Sequence, residues 1–412
     1  MKKIMFTIFV VILIRFCNII PVPFIDVEQL RANTEMFSST VFGLFDMISG
    51  GSLSEASLFA MGISPYINAS IVVQLLTYSI PRLEQFRQEG LVGKKKLDKI
   101  TYGLAFILAV VQAYGFTTLL IRDSMLIRSD VFAIIMVIFS FVTGSILTII
   151  AGTQITKHGI GNGTSVNLVA GIVSGIPDGI LYFFTVNSYL WKTAIVVMVI
   201  FLFIMAVVMN GAEQKIPVHY AVASRYGNKQ YSYLPLKVNM SGVMPVIFAS
   251  TILSLPNTIL MFFPRFLETG FGMAVQSVFS SHHLIYKVVY LILILFFNQF
   301  YISIQYDPVE ISHNLRYNNG VIPGIRPGTP TVNYLKKQMK KLAFISSIML
   351  AIIAVIPLLL EQFIPGVNTY VSGTSILILV GVMAELYRQI HTEMLPRRSM
   401  YHNLLTTAFS KA

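Results

Sequence analysis

Apolar residues in this chain come in long unbroken runs. They lie near residues 4–22, 57–80, 100–121, 131–151, 161–184, 190–210, 241–262, 285–306, 342–361 and 371–390. Each approaches the roughly 20 residues a helix needs to cross a hydrocarbon core ~30 Å thick. Only helices and closed barrels satisfy every backbone group in lipid, so the pattern predicts ten membrane-spanning helices. The first run follows Lys2-Lys3 and resembles a signal peptide. It is too long and lacks a small-residue cleavage site, which predicts an uncleaved first span.

One stretch departs from this rhythm. Between Val41 and Ile80 a short apolar piece, Val41–Ser49, is cut off by Gly50-Gly51 and a polar spacer before a full-length segment begins near Ser57. As a helix the piece would rise only roughly 14 Å, far short of a bilayer. Backbone broken at membrane depth is tolerated where it is buried in protein or lines a water-filled cavity. The break therefore predicts a cavity or pore.

Composition agrees with a polytopic membrane protein: of 412 residues only 12% are charged, against about 25% in a soluble domain. The net charge of +12 would suit nucleic acid or a membrane surface, and its distribution decides between them. With the N-terminus inside, inner segments hold 23 Lys/Arg and outer ones six, with Arg15 inside the first span. This asymmetry predicts two cytoplasmic termini in a plasma-membrane protein, and reads the charge as a topology signal with no nucleic-acid partner. The single cysteine, Cys17, rules out an intrachain disulfide framework. Two inner segments, Ala212–Lys237 and Asp307–Lys341, exceed what a helix connection requires. The second carries YNNGVIPGIRPGTPT, whose glycines and prolines enforce turns and display Arg326 at their tip.

Enzymatic signatures are missing. There is no phosphate-binding G-x-x-x-x-G-K-[ST] loop and no H-E-x-x-H zinc pair, and His282-His283 have no acid at ligand spacing. Gly171-Ile172-Val173-Ser174-Gly175 has the wrong spacing for a serine nucleophile turn. The expectation is a protein that is not an enzyme and binds no cofactor or metal. A secondary transporter is the main rival, but such sites usually carry intramembrane charges. Here the central polar residues are mostly neutral: Asn68, Gln74, Gln112, Asn167, Asn298 and Gln299. Read singly, each is an interhelical hydrogen bond before it is a function.

Several motifs in order resemble one family, the SecY protein-conducting channel. Ile20-Pro21-Val22-Pro23 is similar to the end of its first span, and Gly62-Ile63-Ser64-Pro65-Tyr66-Ile67-Asn68-Ala69-Ser70 to its second-span signature. Gly159-Ile160-Gly161-Asn162-Gly163 with Ala170-Gly171-Ile172-Val173 resembles the fifth span. Leu234-Pro235-Leu236-Lys237-Val238-Asn239 and Gly242-Val243-Met244-Pro245 resemble the seventh, and Gly373-Thr374-Ser375 the tenth. Ile325-Arg326-Pro327-Gly328 is similar to the largest cytoplasmic loop.

The resemblance implies an all-α hourglass channel of ten helices in two inverted halves, residues 1–184 and 185–412. It implies a pore ring of Ile63, Ile67, Leu168, Ile172, Met244 and Ile378. An apolar collar stays dry at rest, yet offers a passing polypeptide no group to adhere to. Met244 stands where the family usually has a branched residue, and its flexible thioether would make a softer seal. The broken piece becomes a plug: Phe42, Gly43, Leu44, Phe45, Asp46, Met47, Ile48, Ser49, Gly50 and Gly51, hinged at its glycines. Ser70, Gln112, Ser250 and Thr251 become polar contacts of a lateral gate between the spans at 57–80 and 241–262. Arg326 becomes the docking residue for a SecA-type ATPase motor. Further implied partners are SecE- and SecG-like or accessory small subunits, the lipid bilayer and the secreted preprotein.

Two departures narrow the resemblance. The segment KIPVHYAVASRYGNKQYSYLPLK is poorer in Lys and Arg than is usual in the family, which weakens attraction to ribosomal phosphates. Ser64 and Gly163-Thr164-Ser165-Val166-Asn167 add polarity near the pore. These features, with trimmed loops, resemble the accessory SecY paralogue of some Gram-positive bacteria, which exports serine-rich glycoprotein adhesins with its own SecA paralogue. A housekeeping channel is the alternative, and a purely structural membrane subunit also stays open.

Overall fold

The computed structural model describes residues 2–32, 46, 49–186, 188–220, 232–262, 269–279, 283–364 and 372–409. The helices are α1 (Lys2–Cys17), α2 (Val27–Ala32), α3 (Ser64–Ser79), α4 (Pro81–Gln88), α5 (Leu91–Arg122), α6 (Val131–His158) and α7 (Gly163–Thr185). They continue with α8 (Tyr189–Gly211), α9 (Met244–Phe262), α10 (Gly270–Val278), α11 (Leu284–Gln305), α12 (Pro308–Tyr317), α13 (Thr329–Leu360) and α14 (Gly373–Phe409). The strands are β1 (Glu213–Tyr220), β2 (Ser232–Lys237) and β3 (Gly320–Val321).

Every one of the ten apolar runs contains a helix. Seven are long and apolar enough to cross a membrane by length and composition among the described residues. The other three are α1 and α3, of 16 residues each, and α9, of 19. A 16-residue helix rises only about 24 Å. The second run is helical from Ser64 and not from Ser57, because Gly62 adopts a left-handed φ of +50° and Pro65 takes the first turn of α3.

The chain divides into two compact units. The first comprises Met1–Phe184, Asn257–Gly272 and Val382–Ala412, the second Thr185–Pro256 and Met273–Gly381. In the first unit a core forms beyond the end of α1, where Val22, Leu53 and Ala60 pack with Phe116 of α5 and Phe141 of α6. Those two rings meet edge to face, 5.6 Å between centroids. Backbone bonds from Val22 N–H to the Ala56 carbonyl (2.8 Å) and from Leu58 N–H to the Ile20 carbonyl (2.9 Å) tie the chain after α1 to the turns before α3.

In the second unit the described parts of the two long connecting segments form a small sheet, which the turn-rich sequence did not suggest. β1 pairs antiparallel with β2, Glu213 opposite Lys237 and Val218 opposite Ser232. It also pairs with β3, His219 opposite Val321, giving the strand order β2-β1-β3. Ile216 and Val218 point one way into a core with Leu236, Leu315, Ile322 and Leu335, while Lys215, Pro217 and His219 alternate to the exposed side. α13 starts well before its apolar run and supplies Leu335 and Met339 to that core.

A polar knot joins the helices of this unit. The Nδ2 of fully buried Asn298 on α11 shares its two hydrogens among the Ala343 carbonyl (2.8 Å), Ser346 Oγ (2.9 Å) and Ser347 Oγ (2.7 Å) of α13. Asn298 Oδ1 accepts from Ser241 Oγ.

Candidate functional site

The hinge end of the broken segment is held from two sides within the first unit. Gly51 N–H donates to the Asp46 carbonyl (2.9 Å), with Gly50 at φ +73° and Gly51 at +79°. A glycine in this left-handed conformation, with such a bond across it, is the geometry that terminates a helix. The Asp46 carboxylate accepts from the backbone N–H of Leu53 (2.9 Å) and Ser54 (3.0 Å) and from Ser54 Oγ, closing the turn on itself.

On one side stands α1. Arg15 Nη1 donates to the Ser49 carbonyl (3.1 Å), and Asn18 Nδ2 to Ser52 Oγ (2.8 Å). On the other stands α7, so close that a side chain on Gly50 would collide with the Gly171 carbonyl and Ser174 Oγ. The glycine pair that the sequence singled out does take left-handed φ, whereas the polar side chains around this turn went unnoticed. The available signal was Arg15, a charge inside an apolar run, which is costly unless it faces a partner or a cavity.

The proposed ring positions fall in both units. Ile63 stands directly before α3 and Leu168 lies on α7; both line one recess of the first unit, with Arg15, Ser49 and Asn167. Ile67 and Ile172 follow four residues further along, on the same helix faces as Ile63 and Leu168, and all four are buried. In the second unit Met244 opens α9 half-buried, and Ile378 is fully buried on α14. Of the plug residues, Asp46, Ser49, Gly50 and Gly51 are placed as above. Phe42, Gly43, Leu44, Phe45, Met47 and Ile48 lie outside the described residues.

The gate candidates also divide. In the first unit, Ser70 Oγ on α3 accepts from Gln74 (3.2 Å). Gln112 lies on α5, the helix that packs along α3; its Oε1 is buried with no hydrogen-bond partner among the described residues. In the second unit Ser250 is buried and donates to the Ile247 carbonyl (2.9 Å), and Thr251 follows it on α9. Arg326 is exposed on the turn between β3 and α13. That turn is fixed by Ile325 N–H to the Ile322 carbonyl (3.1 Å) and by Thr331 Oγ1 to the Arg326 carbonyl (2.9 Å). No group of three or more His, Cys, Asp or Glu able to hold a metal occurs among the described residues.

The SecY family profile matches residues 57–387, most of the chain. The chain belongs to the SecY family. It is 37% identical over 417 residues to the protein translocase subunit SecY of Bacillus subtilis, covering 96% of this chain and 95% of that one. To the corresponding subunit of Aquifex aeolicus it is 34% identical over 423 residues, again covering 96% and 95%. Among solved structures it is similar to a protein-conducting channel, with a TM-score of 0.65 and 19% identity over 95% of this chain and 92% of the other. It is also similar to Sec61 of the canine ribosome–channel complex from the endoplasmic reticulum, with a TM-score of 0.62, 19% identity and the same coverage. The fold is thus the helical channel fold of SecY and Sec61, and the chain is a multi-pass membrane protein.

Proposed function

We propose that the chain is the channel subunit of a Sec-type translocase, conducting unfolded polypeptides across the plasma membrane with both termini in the cytoplasm. Family membership supports the channel reading. The observation that carries the gating reading is the seat of the Ser49–Gly51 hinge, clamped between Arg15 of α1 and the Gly171 carbonyl next to ring residue Ile172. In this reading the segment tethered there is a plug, and the ring positions are Ile63, Ile67, Leu168 and Ile172 in the first unit and Met244 and Ile378 in the second. An apolar lining suits unfolded polypeptide, since it excludes ions by dewetting and binds no one side chain. The chain carries no phosphate-binding loop of its own, so the driving force comes from a SecA-type ATPase that docks at Arg326. SecE- and SecG-like subunits are the expected membrane partners, and Ser70, Gln112, Ser250 and Thr251 the polar contacts of a lateral gate.

Within the family, the chain reads as an accessory channel for serine-rich glycoprotein adhesins. Residues 212–237 carry only four Lys/Arg, which weakens binding to ribosomal phosphates. The test of the main reading is to crosslink a stalled export substrate to probes at Ile67, Ile172 and Ile378. Crosslinks at all three are expected, and none at any would restore the solute transporter. For the accessory reading, purified channel in vesicles is paired in turn with the housekeeping SecA and its paralogue. Export with the housekeeping motor alone would assign the chain to the general pathway.

A further inference from the structure

We propose, resting on the channel reading above, that Thr7 of α1 and Gln389 of α14 are positioning residues. They fix the start of α7 and, through it, the ring positions Leu168 and Ile172.

The turn between α6 and α7 reads Gly159-Ile160-Gly161-Asn162-Gly163 and lies within the first unit, as do Thr7 and Gln389. Four backbone N–H groups in and just after this turn bond to side-chain oxygens. Ile160 N–H donates to Thr7 Oγ1 (3.0 Å) and Gly161 N–H to Gln389 Oε1 (2.7 Å). Gly163 N–H donates to Thr156 Oγ1 (2.9 Å) and Thr164 N–H to Asn162 Oδ1 (3.1 Å). The first N–H groups of a helix lack intrahelical partners, and side-chain oxygens are what they need. Asn162 takes the cap position, since its carbonyl accepts a helical bond from Val166 N–H (2.9 Å). Thr7 and Thr156 are set up as acceptors. Each already gives its hydroxyl hydrogen away, to the Lys3 carbonyl (3.0 Å) and the Gly152 carbonyl (3.0 Å) respectively.

The glycines show how closely the helices meet at this turn. A methyl on Gly159 would collide with Thr7 Oγ1, and one on Gly161 with the Leu386 side chain of α14. A methyl on Gly163 would collide with the Gly152 carbonyl of α6. Each glycine thus admits a different helix. Gly161 also holds φ at +81°, which residues with a side chain rarely adopt. Phe6, next to Thr7, adds an edge-to-face contact with His158 at the end of α6 (5.9 Å).

Capping alone does not explain Thr7 and Gln389. Asn162 and Thr156 are local and already serve the first residues of α7, whereas the other two bonds span 153 and 228 residues. Gly161 is only half-buried, so water could serve its N–H. What the distant side chains add is location, because they tie the turn to α1 and α14. α7 carries that location forward. The helical rise puts Leu168 about 8 Å and Ile172 about 14 Å beyond Gly163. A continuous helix is stiff over that length, so a displaced start moves both side chains.

The test uses the full chain in nanodiscs. Thr7→Val and Gln389→Met remove the accepting oxygen at nearly constant shape, while Thr7→Ser and Gln389→Glu keep it. Spin labels at Val72 of α3 and Val173 of α7, both exposed, report the separation of the two helices by pulsed EPR. Thr7→Val and Gln389→Met are expected to shift or broaden that distance distribution. The two conservative variants are expected to leave it as in the parent. In vesicles, a stalled export substrate is crosslinked to probes at Ile172 on α7 and Ile67 on α3. The ratio of the two yields should fall about threefold in Thr7→Val and in Gln389→Met, the weight of one neutral hydrogen bond. A general loss of stability would lower both yields together and leave their ratio unchanged. If both variants keep the parent's distances and ratio, the positioning assignment is overturned and the channel reading stands. If Thr7→Ser and Gln389→Glu move them as far, the oxygens do not hold α7 and the proposal also fails. Distances that shift as expected, in a chain whose parent form crosslinks at neither probe, would support the clamp on α7 and overturn the channel. Should one variant not fold, the other decides alone.

Discussion

His219 of β1 stands opposite Val321 of β3, a pairing between residues about a hundred positions apart that makes one sheet of two connecting segments. The sheet rests on α13 through Ile216, Val218 and Leu236, and Gln214 Nε2 donates to Gln338 Oε1 of that helix (3.1 Å). The turn bearing Arg326 is thereby fixed to a helix that continues into a membrane span. A load applied at the tip would be carried by packed elements and not by a slack loop. Such a mount would suit the motor-docking role proposed for Arg326.

Replacing Ile322 with Asp tests that mechanical link. Ile322 is 3% exposed in the core beneath the sheet, and an unpaired carboxylate there should destabilise the platform by several kcal/mol. Limited proteolysis of the purified protein should show new cuts within 212–237 and 307–328. Motor-driven export should fall with them, while the membrane-spanning fragments stay intact.

Arg326→Glu asks a different question, because the side chain is exposed and its own turn is held by backbone and Thr331 bonds. The proteolytic pattern should match the parent protein and membrane insertion should be unaffected. Motor-driven export in reconstituted vesicles should be abolished. Unchanged export would remove Arg326 from the docking site.

The helices were legible because lipid leaves the backbone few choices, so each apolar run had to become one. The small sheet was not. Ile216/Val218 and Leu234/Leu236 do alternate, yet two short alternations in a loop do not specify partners. The register with β3 depends on a segment about a hundred residues away. The late start of α3 follows from Gly62 and Pro65, both visible in the sequence, but the apolar run hid the boundary by continuing through Ser57–Ile63. At the hinge, the glycine pair announced the bend, while the Arg15–Ser49 bond spans 34 residues and no local pattern encodes it. Asn298 was read as an interhelical hydrogen bond, and it is one.

Asn298→Leu should therefore lower stability without acting on the pore directly. The substitution removes the Asn298 bonds of Ser241, Ser346 and Ser347, while Ser346 and Ser347 keep bonds to the Ala343 carbonyl (3.0 and 2.7 Å) and Ser241 keeps a long one to Asn239 Oδ1 (3.5 Å). Interhelical polar bonds in membranes average about 0.6 kcal/mol and reach about 1.7. A knot of several should cost about 1–3 kcal/mol. Thermal unfolding in detergent, followed by tryptophan-independent aggregation or light scattering, should move to lower temperature. An unchanged transition would mean that these contacts carry no net stability.

Gly50 and Gly51 offer a comparison that separates backbone strain from displacement of the hinge. Both have left-handed φ, +73° and +79°, so Ala at either position should cost about 1–2 kcal/mol of local strain. Only at Gly50 would the added methyl collide with the Gly171 carbonyl; around Gly51 the space is open. Gly50→Ala must therefore push the hinge away from α7 and Ile172, whereas Gly51→Ala can leave it seated. Ion flux from dye-loaded vesicles should rise several-fold for Gly50→Ala and little for Gly51→Ala at matched protein density. Equal leak from both would mean that the hinge responds to strain alone, and that its close approach to Gly171 has no part in the seal.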